Sequence, residues 1–159
     1  MEIEYIDPVT GKSVKSLIGD PNADFFAQLS AFRLTEKNVK ERIDNLNISA
    51  DAKALLFSLN KITFSVGRAV IKIGKKIIDV IFSLIKNFPY LSFGVIFGLL
   101  LGALIAAIPL IGAALGSLAT TIALALGVAL GGLEEFKSDD LKKRIDNFVK
   151  DLSPLRNQT

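Results

Sequence analysis

Apolar and polar residues along this chain change rhythm several times, and each rhythm predicts a different element. Residues 2–6 and 13–18 alternate loosely around the turn formers Asp7-Pro8-Val9-Thr10-Gly11-Lys12, which predicts two short strands joined by a turn. A two-stranded hairpin is marginal alone in water, so this one is expected to lean on a helix or on a neighbouring subunit. Asp20-Pro21-Asn22 breaks the chain. Phe25, Phe26, Leu29, Phe32 and Leu34 then recur at spacings that suit a short amphipathic helix, and their rings read as a small core. Thr35 can cap a second helix, in which Val39, Ile43 and Leu46 repeat about once per turn.

Residues 51–88 carry the longest helical period. Lys61, Ser65, Arg68, Lys72, Lys75, Asp79, Ser83 and Lys86 step by three or four and form a polar stripe. Leu55, Leu59, Ile62, Val66, Ala69, Ile73, Ile77, Val80, Leu84 and Phe88 form the opposite one. Ser49 is placed to cap this segment and Asp51 to favour its first turn. The pattern predicts one long basic amphipathic helix of about 55 Å at 1.5 Å per residue. Gly67 and Gly74, one heptad apart, would bend it or admit another helix. Its basic side, with Lys61, Arg68, Lys72, Lys75, Lys76 and Lys86, resembles the polar face of interfacial membrane-active helices. The alternative is a bundle helix with a solvated basic edge.

The period then disappears, because residues 88–133 contain no charged side chain at all. A bilayer core of about 30 Å takes roughly 20 apolar residues per helical span. The run holds two such lengths with Pro109 near its middle, and predicts a transmembrane helical hairpin turning there. Gly94, Gly98, Gly102 and Ala106 fall four apart in the first arm; Ala119, Ala123, Gly127 and Gly131 do so in the second, with Gly112 and Gly116 near the turn. Small residues at this spacing let helix backbones approach closely in lipid, either arm against arm or copy against copy, and the second use is favoured. The tip, residues 106–117, has Ser117 as its single polar side chain, so insertion moves no ionised group across the bilayer. In architecture alone this resembles the buried hydrophobic hairpin of pore-forming bacteriocins of the colicin type, which implies entry from the aqueous phase. The basic helix before the run and the tail after it depart from that pattern.

Beyond it, Ser138 can cap a last amphipathic helix with Leu141, Ile145, Phe148, Val149 and Leu152 on one face, and Pro154 ends it. One internal echo stands out: Val39-Lys40-Glu41-Arg42-Ile43-Asp44-Asn45-Leu46 resembles Leu141-Lys142-Lys143-Arg144-Ile145-Asp146-Asn147-Phe148. Two helices with one face in common would dock on each other or on equivalent surfaces.

Charge sharpens the picture. Residues 51–86 hold seven Lys/Arg against two Asp/Glu, residues 1–50 six against eight, and residues 134–159 six against six. Positive charge just before an apolar run suits anionic headgroups and, by the positive-inside rule, places both termini on one side, the cytoplasmic one. No nucleic-acid partner is expected, since the basic residues alternate with bulky apolar ones and lack polar or aromatic readers. Neither Cys nor His is present. Thiolate chemistry, imidazole bases and His-containing metal sites are thereby excluded. The acidic N-terminus is unlike a secretory signal, and Gly11-Lys12-Ser13 lacks the context of a phosphate loop.

The sequence thus predicts an all-α membrane protein without cofactor or enzymatic activity. Its parts are a small N-terminal region (1–50) with a β-hairpin and two short helices, a basic amphipathic helix (51–87), the hairpin (88–133) and a C-terminal helix and tail (134–159). The expected function is membrane insertion and assembly of a homo-oligomeric pore or channel, with the bilayer as partner and a possible protein partner for the N-terminal region. The alternative is a non-catalytic anchor, scaffold or structural component of a membrane-associated, viral or secretion assembly.

Overall fold

Two hairpins from distant parts of the chain meet in one sheet. The computed structural model describes residues 1–7, 10–19, 23–31, 35–91, 93–115, 118, 121 and 139–156. β1 (Glu2–Ile6) and β2 (Ser13–Leu17) pair antiparallel, with Ile3 opposite Ser16 and Tyr5 opposite Val14. The Asp7 carboxylate accepts from the Thr10 N–H at 3.1 Å and helps close the intervening turn. β3 (Phe64–Val66) and β4 (Ala69–Ile71) are joined by Gly67-Arg68, and Gly67 has φ +60°, the value a type II′ turn asks of its first loop residue. β3 docks antiparallel on β1, Ile3 facing Val66 and Tyr5 facing Phe64, which gives the order β2-β1-β3-β4. Ile3, Tyr5, Phe64, Val66 and Ile71 are buried, while Glu2, Lys15, Ser65 and Val70 are exposed. The alternation is that of a sheet with one covered face.

The covered face meets helices. α1 (Ala23–Ser30) buries Phe25 and Leu29; α2 (Glu36–Asp44) buries Val39 and Ile43. The Thr35 hydroxyl accepts from the Asn38 N–H at 3.2 Å, and Ser49 accepts from the Ala52 N–H at 3.1 Å at the start of α3 (Ala50–Asn60). α4 (Ile73–Asn87) follows β4, and its start packs backbone to backbone on the end of α3. Gly74 donates its N–H to the Ile62 carbonyl at 3.0 Å, and a Cβ at Gly74 would lie 1.8 Å from the Leu59 oxygen.

The single long helix expected over 51–88 is therefore replaced by helix α3, the β3–β4 hairpin and helix α4. The reason lies in an ambiguity of period. Ile62, Val66, Ala69 and Ile73 satisfy a helix, yet Ile62, Phe64 and Val66 also alternate at period two before a Gly-X turn. The pairing of β3 with the N-terminal strand settles which period the backbone follows, as tertiary context does for short β segments.

α5 (Phe93–Ala107) and α6 (Pro109–Leu115) meet at Ile108 with a bend of 119°. α7 (Asp139–Asp151) packs on α5, and a 3₁₀ turn, Ser153–Leu155, closes the described chain. One apolar cluster runs from Ile3 and Phe64 of the sheet through Ile77 and Ile81 of α4 to Phe97, Leu100 and Leu104 of α5, and on to Ile145 of α7.

The expected all-α membrane protein is overturned on two counts. The chain is mixed α/β with a four-stranded antiparallel sheet, and no single described helix is long and apolar enough to cross a membrane. α5 has fifteen residues, about 22 Å at 1.5 Å per residue. That falls short of a hydrocarbon core of about 30 Å. Among the described residues only the bent pair α5–α6 has together the length and composition of a span. The Asp20-Pro21-Asn22 break, Phe32, Leu34, Ser138 and the second arm with Ala119, Ala123, Gly127 and Gly131 lie outside the described residues.

Candidate functional site

α5 has no polar face. Its sequence, FGVIFGLLLGALIAA, puts Ile96, Phe97, Leu100, Leu101 and Leu104 into the core and leaves Val95 and Ala106 exposed. Gly94, Gly102 and Ala103 are half-buried; in α6, Pro109 and Ala113 are exposed. A helix at the rim of a water-facing fold ordinarily turns charged or polar residues outward. Here the outward positions hold Val, Ala and Pro.

The glycines serve the fold in different ways. Gly98 is buried within α5, while Gly94 and Gly102 lie nearer its surface. Gly112 lets α6 lean on α5, since a Cβ there would come within 3.2 Å of the Ile105 Cγ2. Pro109 occupies the first position of α6, where a missing N–H costs nothing and its fixed φ suits the helix. Gly116, Gly127 and Gly131 lie outside the described residues.

The six basic positions do not form one stripe. Lys61 follows α3, Arg68 sits at the tip of the β3–β4 hairpin, and Lys72 precedes α4; all three are exposed. Lys76 donates to the Ala31 carbonyl at 2.7 Å, tying α4 to the end of α1. Lys75 is only 6% exposed and lies 3.2 Å from the Glu36 carboxylate. A hydrogen bond from the Asn60 amide (3.0 Å) holds Glu36 below the usual carboxylate range; burial opposes it, and Lys75 and then Lys72 add to the lowering. Lys86 stands exposed on the last turn of α4.

Sequence reasoning passed over the corner between α4 and α5. Phe88 is buried there, Tyr90 packs edge-on against it with centroids 6.2 Å apart, and the Tyr90 ring is 73% exposed. The Arg144 guanidinium of α7 lies 5.7 Å from the Phe88 ring centre. In α2, Arg42 lies 5.6 Å from the ring of Phe82 in α4. The repeated Arg-Ile-Asp-Asn segments thus use the same device twice: Ile43 and Ile145 are fully buried, and the preceding arginine caps a phenylalanine, Phe82 within α4 or Phe88 just past its end. The signal for the corner was available, since an aromatic beside a basic residue at the edge of an apolar run is the usual composition of an interfacial anchor.

Two hollows adjoin these elements. One, about 570 Å³, is lined by Glu36, Lys37, Val39, Lys40, Phe57, Asn60 and Lys61; the other, about 180 Å³, lies between α4 and α7 beside Lys76, Asp79, Ser83 and Arg144. Among the described residues no three acidic side chains converge as a metal site would require. No protein-family model, curated protein or solved structure matches this chain.

Proposed function

We propose that the chain is a membrane-inserting protein that holds α5–α6 as an apolar wedge against its α/β body and delivers it to a bilayer, where copies associate to permeabilise the membrane. The observation that carries this reading is that α5 is apolar on every face, including the positions it exposes. The sequence continues without a charge to residue 133, so the uncharged length available to lipid exceeds the wedge itself. Burial against α4, α6 and α7 supplies the apolar side chains of α5 with dispersion contacts that hydrocarbon can also supply.

Dye release from liposomes tests it, with Ala106→Lys as the informative variant. Ala106 is exposed near the bend, so the folded state tolerates the change. A lysine near the middle of a membrane helix costs about 2.5 to 3.5 kcal/mol, or roughly a hundredfold in insertion. Leakage by the parent chain and its loss in Ala106→Lys supports the proposal; equal leakage from both counts against it. The close seating of Gly112 on Ile105 favours a second reading, an anchor whose glycines serve packing within one chain. Tight binding without leakage selects that one.

A further inference from the structure

We infer that the α4–α5 corner, Lys86 to Val95, is the surface by which this protein first docks on a bilayer, and that its lipid partner is anionic. The inference rests on the membrane-inserting reading and adds to it which face makes contact. Large exposed apolar side chains in the described chain fall in two places. Met1 at 47% precedes β1, and Ile6, Leu17 and Val70 belong to the sheet at 57% exposure each, whereas Tyr90 at 73% and Val95 at 38% flank the start of the uncharged run. Only the second group adjoins the apolar helix.

The corner has the composition of an interfacial anchor. A tyrosine has an apolar ring and a hydroxyl that stays hydrated, so it rests at headgroup depth. Lys86, exposed one turn before it, supplies a cation for lipid phosphate, and no acidic residue follows Lys86 until Glu134 in the sequence. The nearby Asp140 of α7 pairs with Arg144 at 3.5 Å, and Arg144 itself covers Phe88. Tyr90 is therefore presented from a fixed base: Phe88, 4% exposed, is held from below by the core and from the side by Arg144, and Tyr90 leans on its ring. A side chain ordered before contact loses little freedom on contact. Val95, in the first turn of α5, extends the patch towards the wedge.

The chain contains no tryptophan, so Tyr90→Trp places a single indole at the corner and Leu17→Trp places one on the outer strand of the sheet. Each full-length variant is mixed with vesicles of equal parts phosphatidylglycerol and phosphatidylcholine, and cosedimentation is measured alongside emission. The expected result is cosedimentation of both variants, with a blue shift at position 90 and none at 17. Cosedimentation with a shift at 17 alone, or at neither, overturns the docking face and leaves the membrane reading standing; absence of cosedimentation overturns both. Lys86→Glu is expected to weaken binding to these vesicles roughly tenfold, since each basic residue near an anionic surface contributes about a factor of five. It should leave binding to pure phosphatidylcholine unchanged. Equal loss on both vesicle types overturns the assignment of an anionic partner.

Discussion

Helices α4 and α5 are each fifteen residues long, are neighbours in the chain, and share one core, yet they are attached to it by different physics. α4 takes polar groups inside with it. Lys75 reaches Glu36, Asp79 is 4% exposed, Lys76 binds the Ala31 carbonyl, and its Gly74 meets the α3 backbone. Such contacts are directional, and no hydrocarbon solvent replaces them. The buried side chains of α5 are all apolar, and their contacts do not depend on which apolar partner supplies them. The first helix belongs to this fold; the second belongs to any sufficiently apolar surroundings. The proposed insertion of α5 rests on that contrast rather than on hydrophobicity alone.

The contrast can be broken at its strongest point first. Gly74→Val forces side-chain atoms into the Leu59 carbonyl, and is expected to cost more than about 3 kcal/mol, read as a collapse of the urea midpoint. Leu100→Ala in α5 removes a fully buried side chain and should lower stability in water by about 3 kcal/mol, while dye release from liposomes becomes faster. Stability lost without faster release would mean that α5 stays docked when the membrane is engaged. Arg42→Ala and Arg144→Ala each remove a guanidinium from an aromatic ring, for about 0.5 to 1 kcal/mol apiece. The two losses should add in the double variant, because the arginines cap different rings.

The smallest effect is set by pH. Glu36 titrates lower in the folded chain than in the unfolded one, so its stabilising share is complete above the ordinary carboxylate value of 4.5 and is lost as pH falls through the lowered folded value. Glu36→Gln should flatten that part of the stability profile by lowering the neutral region slightly towards the acid one, a small change because the carboxylate is largely exposed and screened. Thermal melts from neutral to acid pH check this.

Legibility followed locality. The caps at Thr35 and Ser49 are read from single side chains, and both accept the expected backbone N–H. Segments 2–6 and 13–18 were legible as strands because the turn lies between them. β3 and β4 were not, because Lys61, Ser65, Arg68 and Lys72 keep a helical step through a segment whose partner strand lies at the other end of the domain. The same mixing misled the basic positions. Lys75 and Lys72 sit on one apparent stripe, yet one is buried against Glu36 and the other exposed before the helix begins. Absence of charge marked α5 as unusual, and the turn expected at Pro109 lies beside the bend at Ile108, but composition holds no record of α7 as its cover.

The strand order β2-β1-β3-β4 has a consequence for synthesis. β1 precedes β3 by almost sixty residues, sits second in the sheet, and cannot be paired on both sides until β3 emerges. Once β4 and α4 have followed, the apolar face of the platform exists while α5 is still being made. The apolar α5 is thus born beside a finished seat, and α7 arrives afterwards to close over it. A circular permutant opened at Phe93 would make α5 before its seat exists and so remove that order of events.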